Sequence, residues 1–185
     1  MAEHRALQER AFWLIRNTRF MTLATADANG DPWASTVNYV LLLDHRIRLL
    51  WHSMRKAQHS ANLAARPRTT GAIFRTDLST EQSPLTLDGL QFSGSARAVP
   101  EQHVVDIHAV YYRLNFPDES VRRTFMLPID EFVAEGGRRF YELTLDAWWL
   151  LDIDQWLVDK EDRRIALPPP DQFVQNLRAT LTDSP

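Results

Sequence analysis

The stretch of this chain richest in side chains that can bind or react is Leu49 to Leu63. It reads Leu-Leu-Trp-His-Ser-Met-Arg-Lys-Ala-Gln-His-Ser-Ala-Asn-Leu. The pattern predicts a strand feeding a helix through a short polar turn, with Ser53 as the helix N-cap. Arg55, Lys56, Gln58 and His59 crowd the first helical turns. Unpaired backbone N–H groups, the positive end of the helix dipole and these donors together suit a phosphate group. The plainer reading is a capped surface helix with ordinary charges.

The other reactive residue types do not assemble into a known constellation. There is no G-x-S-x-G elbow, no P-loop and no G-x-G-x-x-G, and six glycines leave little material for a glycine-built phosphate cradle. His103 and His108 lie five residues apart on an expected helix, which points them about 140° apart, so they do not form an H-E-x-x-H zinc pair. No metal site is expected. Glu81, Asp106, Asp118, Asp130, Glu131 and Asp154 are scattered and read as loop and helix-start residues. The arginine pairs at 122–123, 138–139 and 163–164 read as surface. Trp148, Trp149 and Trp156 cluster late in the chain, with Trp33 and Trp51 earlier. They suit a core or a subunit interface, with a stacking wall for a flat ring as the alternative.

Around these residues the periodicity supplies the scaffold. Leu7, Ala11, Leu14 and Ile15 recur at helical spacing. Phe20 to Ala26 alternates, the turn cluster 27–32 follows, and Trp33 to Leu43 and Ile47 to Trp51 read as the next two strands of an antiparallel meander. A helix is predicted over Lys56 to Ala65, then a strand over Thr69 to Arg75. Another alternating run spans Leu85 to Val99, with Gly89 and Gly94 marking a bulge or close backbone approach. Pro100 opens a helix to about Leu114, and Glu119 to Met126 resumes helical structure. Phe140 to Leu145 and Trp148 to Ile153 read as two strands, and Phe173 to Leu181 as a final helix. Five to seven strands without a strand–helix rhythm favour a mainly β fold, an antiparallel barrel decorated with helices. One domain over residues 1–160 is expected, with 161–185 as a tail carrying a short helix.

A length of 185 residues, 44% of them hydrophobic and 24% charged, is ordinary for a globular domain. A net charge of −3 argues against a nucleic-acid partner. The absence of cysteine removes disulfides, thiol catalysis and cysteine–metal sites. The N-terminal ten residues are too charged for a secretory signal, and no apolar run approaches membrane-spanning length. A soluble cytoplasmic protein with no membrane partner is the expectation.

The order of the fragments carries a resemblance. Phe20-Met-Thr-Leu-Ala-Thr-Ala-Asp-Ala-Asn-Gly-Asp-Pro32, then Ser35-Thr-Val-Asn-Tyr39, then Asn62-Leu-Ala-Ala-Arg-Pro-Arg68 and Gly89-Leu-Gln-Phe-Ser-Gly94 resemble the pyridoxamine 5′-phosphate oxidase-like, FMN-binding split-barrel proteins. Tyr112-Arg-Leu-Asn-Phe-Pro117 resembles an uncharacterised branch of that superfamily. The resemblance covers about residues 7–117 well and 140–160 loosely. It implies a six-stranded antiparallel Greek-key split barrel with flanking helices, working as a homodimer with two FMN molecules at the interface. By the same resemblance, Ser35, Thr36, Val37 and Asn38 run beneath the flavin ring, and His52, Ser53, Gln58 and His59 hold its phosphate. The strand with Leu90 and Gln91 contributes from the second subunit.

The departures from that pattern matter equally. Gln58 and His59 align with the oxidase's phosphate-binding Arg-Lys pair, while Arg55 and Lys56 lie one helical turn earlier. Ser35 stands where the oxidase has an arginine, and its C-terminal substrate signature has no counterpart, so the chain is not read as the true oxidase. An FMN-dependent oxidoreductase acting on an unknown small molecule is the leading expectation, with catalytic residues unassigned because the flavin itself would carry the electrons. A non-catalytic binding module, or an enzyme using F420 or haem in the same cleft, are the alternatives.

Overall fold

The computed structural model describes residues 2–182. Helix α1 (Ala2–Arg16) places Ala11, Leu14 and Ile15 fully inside. From its other side Arg10 makes a two-pronged ion pair with the buried Asp88, at 2.7 and 2.8 Å, and donates to the carbonyl of Leu151 at 2.7 Å. Bidentate pairing of this kind fixes orientation as well as position, so it pins the helix to two strand ends at once. Strand β1 (Phe20–Ala26) buries Met21, Leu23 and Thr25 on one face, as its alternation demands. Asp27 then organises the turn by accepting the backbone N–H groups of Asn29, Gly30 and Asp31, and Gly30 takes the left-handed φ of 98° there.

The remaining elements are β2 (Pro32–Asn38), β3 (Val40–Leu43), β4 (Ile47–Met54), α2 (Gln58–Ala65), β5 (Arg68–Arg75) and β6 (Asp88–Ala98). They continue with α3 (Val104–Asn115), α4 (Glu119–Phe125), β7 (Arg138–Leu151), α5 (Ile153–Asp159), β8 (Arg164–Ala166) and α6 (Pro170–Thr182). All eight strands form one antiparallel sheet in the order β2-β1-β5-β6-β7-β4-β3, with β8 pairing the end of β7. Neighbours in sequence, β2 and β3, stand at opposite ends of that order. Only Tyr39 separates them, so the sheet has to curl until its two ends meet. Tyr39 is held by its own N–H, donated to the Arg19 carbonyl, and by its hydroxyl, donated to the Ile15 carbonyl at 2.6 Å.

The mainly β, antiparallel, curled architecture agrees with the sequence reading, and the strand count does not. Among the described residues, eight strands replace six. The expected strand 33–43 breaks at Tyr39 because its two halves pair with different partners, β2 with β1 and β3 with β4. The two strands expected over 140–145 and 148–153 are instead one, β7. Asp146 is the extra residue of a bulge opposite Ser93 and Gly94, so the ladder passes it without a turn. The segment after residue 160 adds β8 to the sheet and buries Phe173 and Val174 in the main core.

Two cores result. The inner one gathers Met21, Leu23, Leu49, Trp51, Ile73, Phe92, Leu143 and Trp148 under α1 and α6. The second lies on the opposite face of β4, β6 and β7, where α3 covers Leu50, Val99 and Phe140. Gly94 sits at the bulge between them. A Cβ there would lie 2.1 Å from the Thr144 carbonyl oxygen, a backbone atom that cannot turn aside. Gly94→Ala is expected to destabilise the fold by roughly 2–4 kcal/mol, the range of overpacked or strained sites. A chemical denaturation midpoint matching wild type would refute this.

Candidate functional site

Strand β4 runs on past His52 to Met54, each residue paired with β7 as far as Met54 opposite Arg138. Ser53 is therefore a strand residue and not the helix N-cap. Helix α2 starts only at Gln58, after Ala57, which offers no side-chain cap. Because successive strand residues face opposite sides, His52 and Ser53 part company. Ser53 turns toward the gap between β4 and β2. His52 enters the second core, edge-on to Tyr111, Phe132 and Phe140 and beside Tyr112, with its Nδ1 buried and unpartnered.

The gap is spanned by His59 of α2, which is 8% exposed. Its Nε2 meets Ser53 Oγ of β4 at 2.7 Å, and its Nδ1 meets Ser35 Oγ of β2 at 3.1 Å. Trp33 donates its indole N–H to the same Ser35 oxygen at 3.0 Å. Burial lowers the pKa of His59, so the ring is held neutral and carries one N–H. One serine accepts from it and the other donates to it. Next to it, Gln58 donates to Asn62, and the buried Asn62 donates to Thr25 of β1, at 2.8 and 3.0 Å. The Asn62-Leu63 part of the sequence motif is thus a polar tie between α2 and the sheet.

Of the nine residues singled out in the sequence, Ser35, Ser53 and His59 come together. Gln58 lies on the same helix but is turned to Asn62. Val37 is buried in the inner core, and Asn38 is occupied by the Arg19 carbonyl and the Tyr111 hydroxyl. Thr36 and Gln91 are exposed on the outer sheet face, in one cross-strand row through Thr22 and Ala72. Three strand spacings, about 14 Å, separate them, so within one chain they do not meet on one small ligand. His52 faces the opposite side of the sheet from Ser53, within the second core.

Two cations, Arg55 and Lys56, are exposed in the β4–α2 turn, and Arg138 and Arg139 lie across the ladder from Met54 and Ser53. Arg55 reaches the carbonyl of Ala134 and the carboxylate of Glu135 at 3.3 and 3.4 Å, and Lys56 makes no side-chain contact among the described residues. The sequence reading put Lys56 inside the helix, which starts two residues later, at Gln58. The first turn of α2, which has no side-chain cap, two cations and the half-buried Ser53 hydroxyl form a donor set, with Glu135 on Arg55 and Glu131 on Arg138 as the carboxylates beside it. Such a set fits a phosphate. Among the described residues no cluster of three or more His, Cys, Asp or Glu could hold a metal, and no helix is long and apolar enough to cross a membrane.

A family profile described as pyridoxamine 5′-phosphate oxidase matches residues 7–151. The chain belongs to this family. No curated protein matches the sequence. Among solved structures, a haem-binding protein from Mycobacterium smegmatis superposes with a TM-score of 0.62 at 20% identity, over 92% of this chain and 60% of its own. The present chain therefore spans under two thirds of that relative. HutZ, a haem storage protein from Vibrio cholerae, gives 0.50 at 20% identity, over 73% and 87% of the two chains. An FAD-binding protein from Mesorhizobium loti gives 0.53 at 14%, over 75% and 88%. At these identities the likeness is one of fold, and the pyridoxamine 5′-phosphate oxidase family resemblance rests on the profile.

His52 supplies a pH test of the packing. Burial, then the charges of Arg138 and His108, push its pKa down from 6.5 to about 4. A base with a depressed folded pKa leaves the unfolded chain binding more protons. Its contribution is thus complete above pH 6.5 and is lost as pH falls toward 4. The loss is on the order of 3 kcal/mol, at 1.36 kcal/mol for each unit. His52→Phe, which suits the aromatic surroundings, is expected to flatten stability between pH 6.5 and 4. An unchanged slope in urea titrations across that window would count against the assignment.

Proposed function

We propose that this protein binds FMN, with the phosphate at the β4–α2 turn and the flavin ring along β2, and serves as an oxidoreductase on a small molecule. The observation that carries the reading is the uncapped start of α2 flanked by exposed Arg55 and Lys56, with Ser53 beside it. The two cations meet the phosphate charge that a neutral His59 does not. His59 then has a positioning role, holding Ser53 and Ser35 in place across the gap. Strand β2 stands at one end of the sheet order, so one row of its backbone groups is free of ladder pairing and suits the polar edge of a flat ring. The bound flavin supplies the electron transfer, and the chain supplies position and electrostatics.

The proposal includes a homodimer. Phe20 and Phe74, 54% and 55% exposed, stand together on the outer face that also carries Thr36 and Gln91. A second copy covering that face brings its own Gln91 toward the first chain's β2, which the 14 Å separation within one chain does not allow. A cytoplasmic location goes with this reading.

Haem is the second reading, favoured by the haem-binding relatives of the same fold. Two observations weigh against it at this site. Both ring nitrogens of His59 are engaged, and His52 is enclosed by aromatic rings.

Titration of the full chain with FMN is expected to saturate at one flavin per chain, followed by quenching of flavin fluorescence. Lys56→Ala and Arg55→Ala are each expected to weaken FMN about tenfold, the worth of a charge-assisted contact, while leaving riboflavin, which lacks the phosphate, unaffected. Because His59 is neutral, affinity is expected to stay level from pH 7 to 8. Equal affinity for riboflavin and FMN removes the phosphate site, and saturation by haemin in place of FMN selects the second reading. Bound flavin that reduced nicotinamides do not reduce points to a binding module.

A further inference from the structure

The sheet face that carries the second core is covered only in part. Helix α3 lies over Leu50, Val99 and Phe140, and beyond them the next rungs are open. There Arg97 of β6 stands opposite Glu142 of β7. In the rung after that, Ser95, Thr144 and Arg48 fall in line across β6, β7 and β4. The start of α3 walls this floor with Ile107, and Val99 and Pro100 complete an apolar side. The result is a cleft of about 650 Å³, well inside the range of small-molecule sites. It shares no lining residue with the β4–α2 turn.

The charge pattern within it is selective. Arg48 gives its two terminal nitrogens to Asp44 and Glu142, at 2.5 and 2.6 Å, and Arg68 pairs with Asp146. Those three carboxylates are matched. Arg97 makes no ion pair or side-chain hydrogen bond among the described residues, and neither do the hydroxyls of Ser95 and Thr144. The Arg48 Nε is buried with no acceptor among the described residues. A buried N–H without a partner is rare enough in folded proteins to need a reason. Arg97 and the Ser95 and Thr144 hydroxyls on two adjacent strands are thus free donors, in a cleft also lined by Arg46, which reaches Asp171 at 3.7 Å, and by exposed His103; of its three carboxylates, all but one are matched by an arginine.

That one is Asp106, an exposed carboxylate at the rim with no cation partner among the described residues. Its charge opposes a dianion such as a phosphate and is tolerable for a single negative charge. We propose that this cleft binds a small monocarboxylate with an apolar tail. The carboxylate sits against Arg97 and the Ser95 and Thr144 hydroxyls, and the tail lies along Val99, Pro100 and Ile107. A guanidinium fork and two hydroxyls match the two oxygens of one carboxylate. This binding is independent of whether a flavin occupies the other site.

The experiment is calorimetric titration of the full chain with octanoate and benzoate, beside octanamide and benzamide as uncharged controls. Saturable binding at about 1 mM or tighter is expected for the acids, with the amides at least about tenfold weaker. Arg97→Ala, an exposed position that leaves the fold intact, is expected to cost at least about tenfold. Thr144→Val, isosteric in its strand, is expected to cost several-fold and serves as the second variant. Asp106→Asn is expected to tighten binding. Equal binding of acids and amides overturns the proposal. So does wild-type affinity in both Arg97→Ala and Thr144→Val, weaker binding in Asp106→Asn, or no saturation of the folded protein by either acid.

Discussion

One residue joins the two ends of the sheet. Strand β2 is the last strand on one side and β3 the last on the other, and only Tyr39 lies between them. A flat or gently twisted sheet of this width would hold its end strands many strand spacings apart, so a one-residue link forces it to curl. The buried hydroxyl of Tyr39, bonded to the end of α1, fixes where the curl closes. Closure is complete at Tyr39 and opens away from it, since β2 pairs only with β1 while β4 pairs with β3 and β7. The split that remains between β2 and β4 is where helix α2 enters, and His59 spans it with a serine on either side.

Alternation along β4 and β7 has a second consequence. Both faces of these strands are covered over much of their length, so neighbouring residues go to different cores: Leu49 and Trp51 to one, Leu50 to the other. The same rule sends Ser53 to the split and His52 among aromatic rings. It also explains the open cleft. Helix α3 is twelve residues long, about 18 Å of rise, and it covers one stretch of the β4–β7–β6 face. The rungs past its end, with Arg48, Thr144 and Arg97, carry polar side chains because water reaches them.

Several polar groups inside the fold are tied over long sequence separations, and these ties hold the helices in place. Arg10 with Asp88 fixes α1, Asn62 with Thr25 fixes α2, and Trp148 with the Pro168 carbonyl fixes the approach to α6. Each joins residues far apart in sequence. In such settings an unpaired partner is costlier than the bond is favourable, so these contacts act more on specificity than on net stability. The family motif at Asn62 is of this kind: its side chain is spent on the scaffold and not on a ligand.

Much was legible in the chain itself. The apolar stripe of α1, the turn at Asp27 to Asp31, the alternation of β1, β5 and β6 and the constraint at Gly94 all follow from local pattern, because side-chain period and turn chemistry are local properties. The donor-rich run from Ser53 to His59 was likewise visible. What sequence pattern did not contain was partnership. Whether 33–43 is one strand or two depends on which strands lie beside it, and whether Asp146 ends a strand or bulges depends on Gly94 across the ladder. That His52 turns away from Ser53, that Arg55 and Lys56 stand just before the head of α2, and that Arg97 makes no ion pair among the described residues are decided by which elements pack on each face. The sequence by itself determined the antiparallel β class and the neighbourhood of the site, since both rest on short-range periodicity. Only the tertiary structure decided which side chains in that neighbourhood converge, since convergence depends on strand register, and a shift of one residue turns each side chain to the other face.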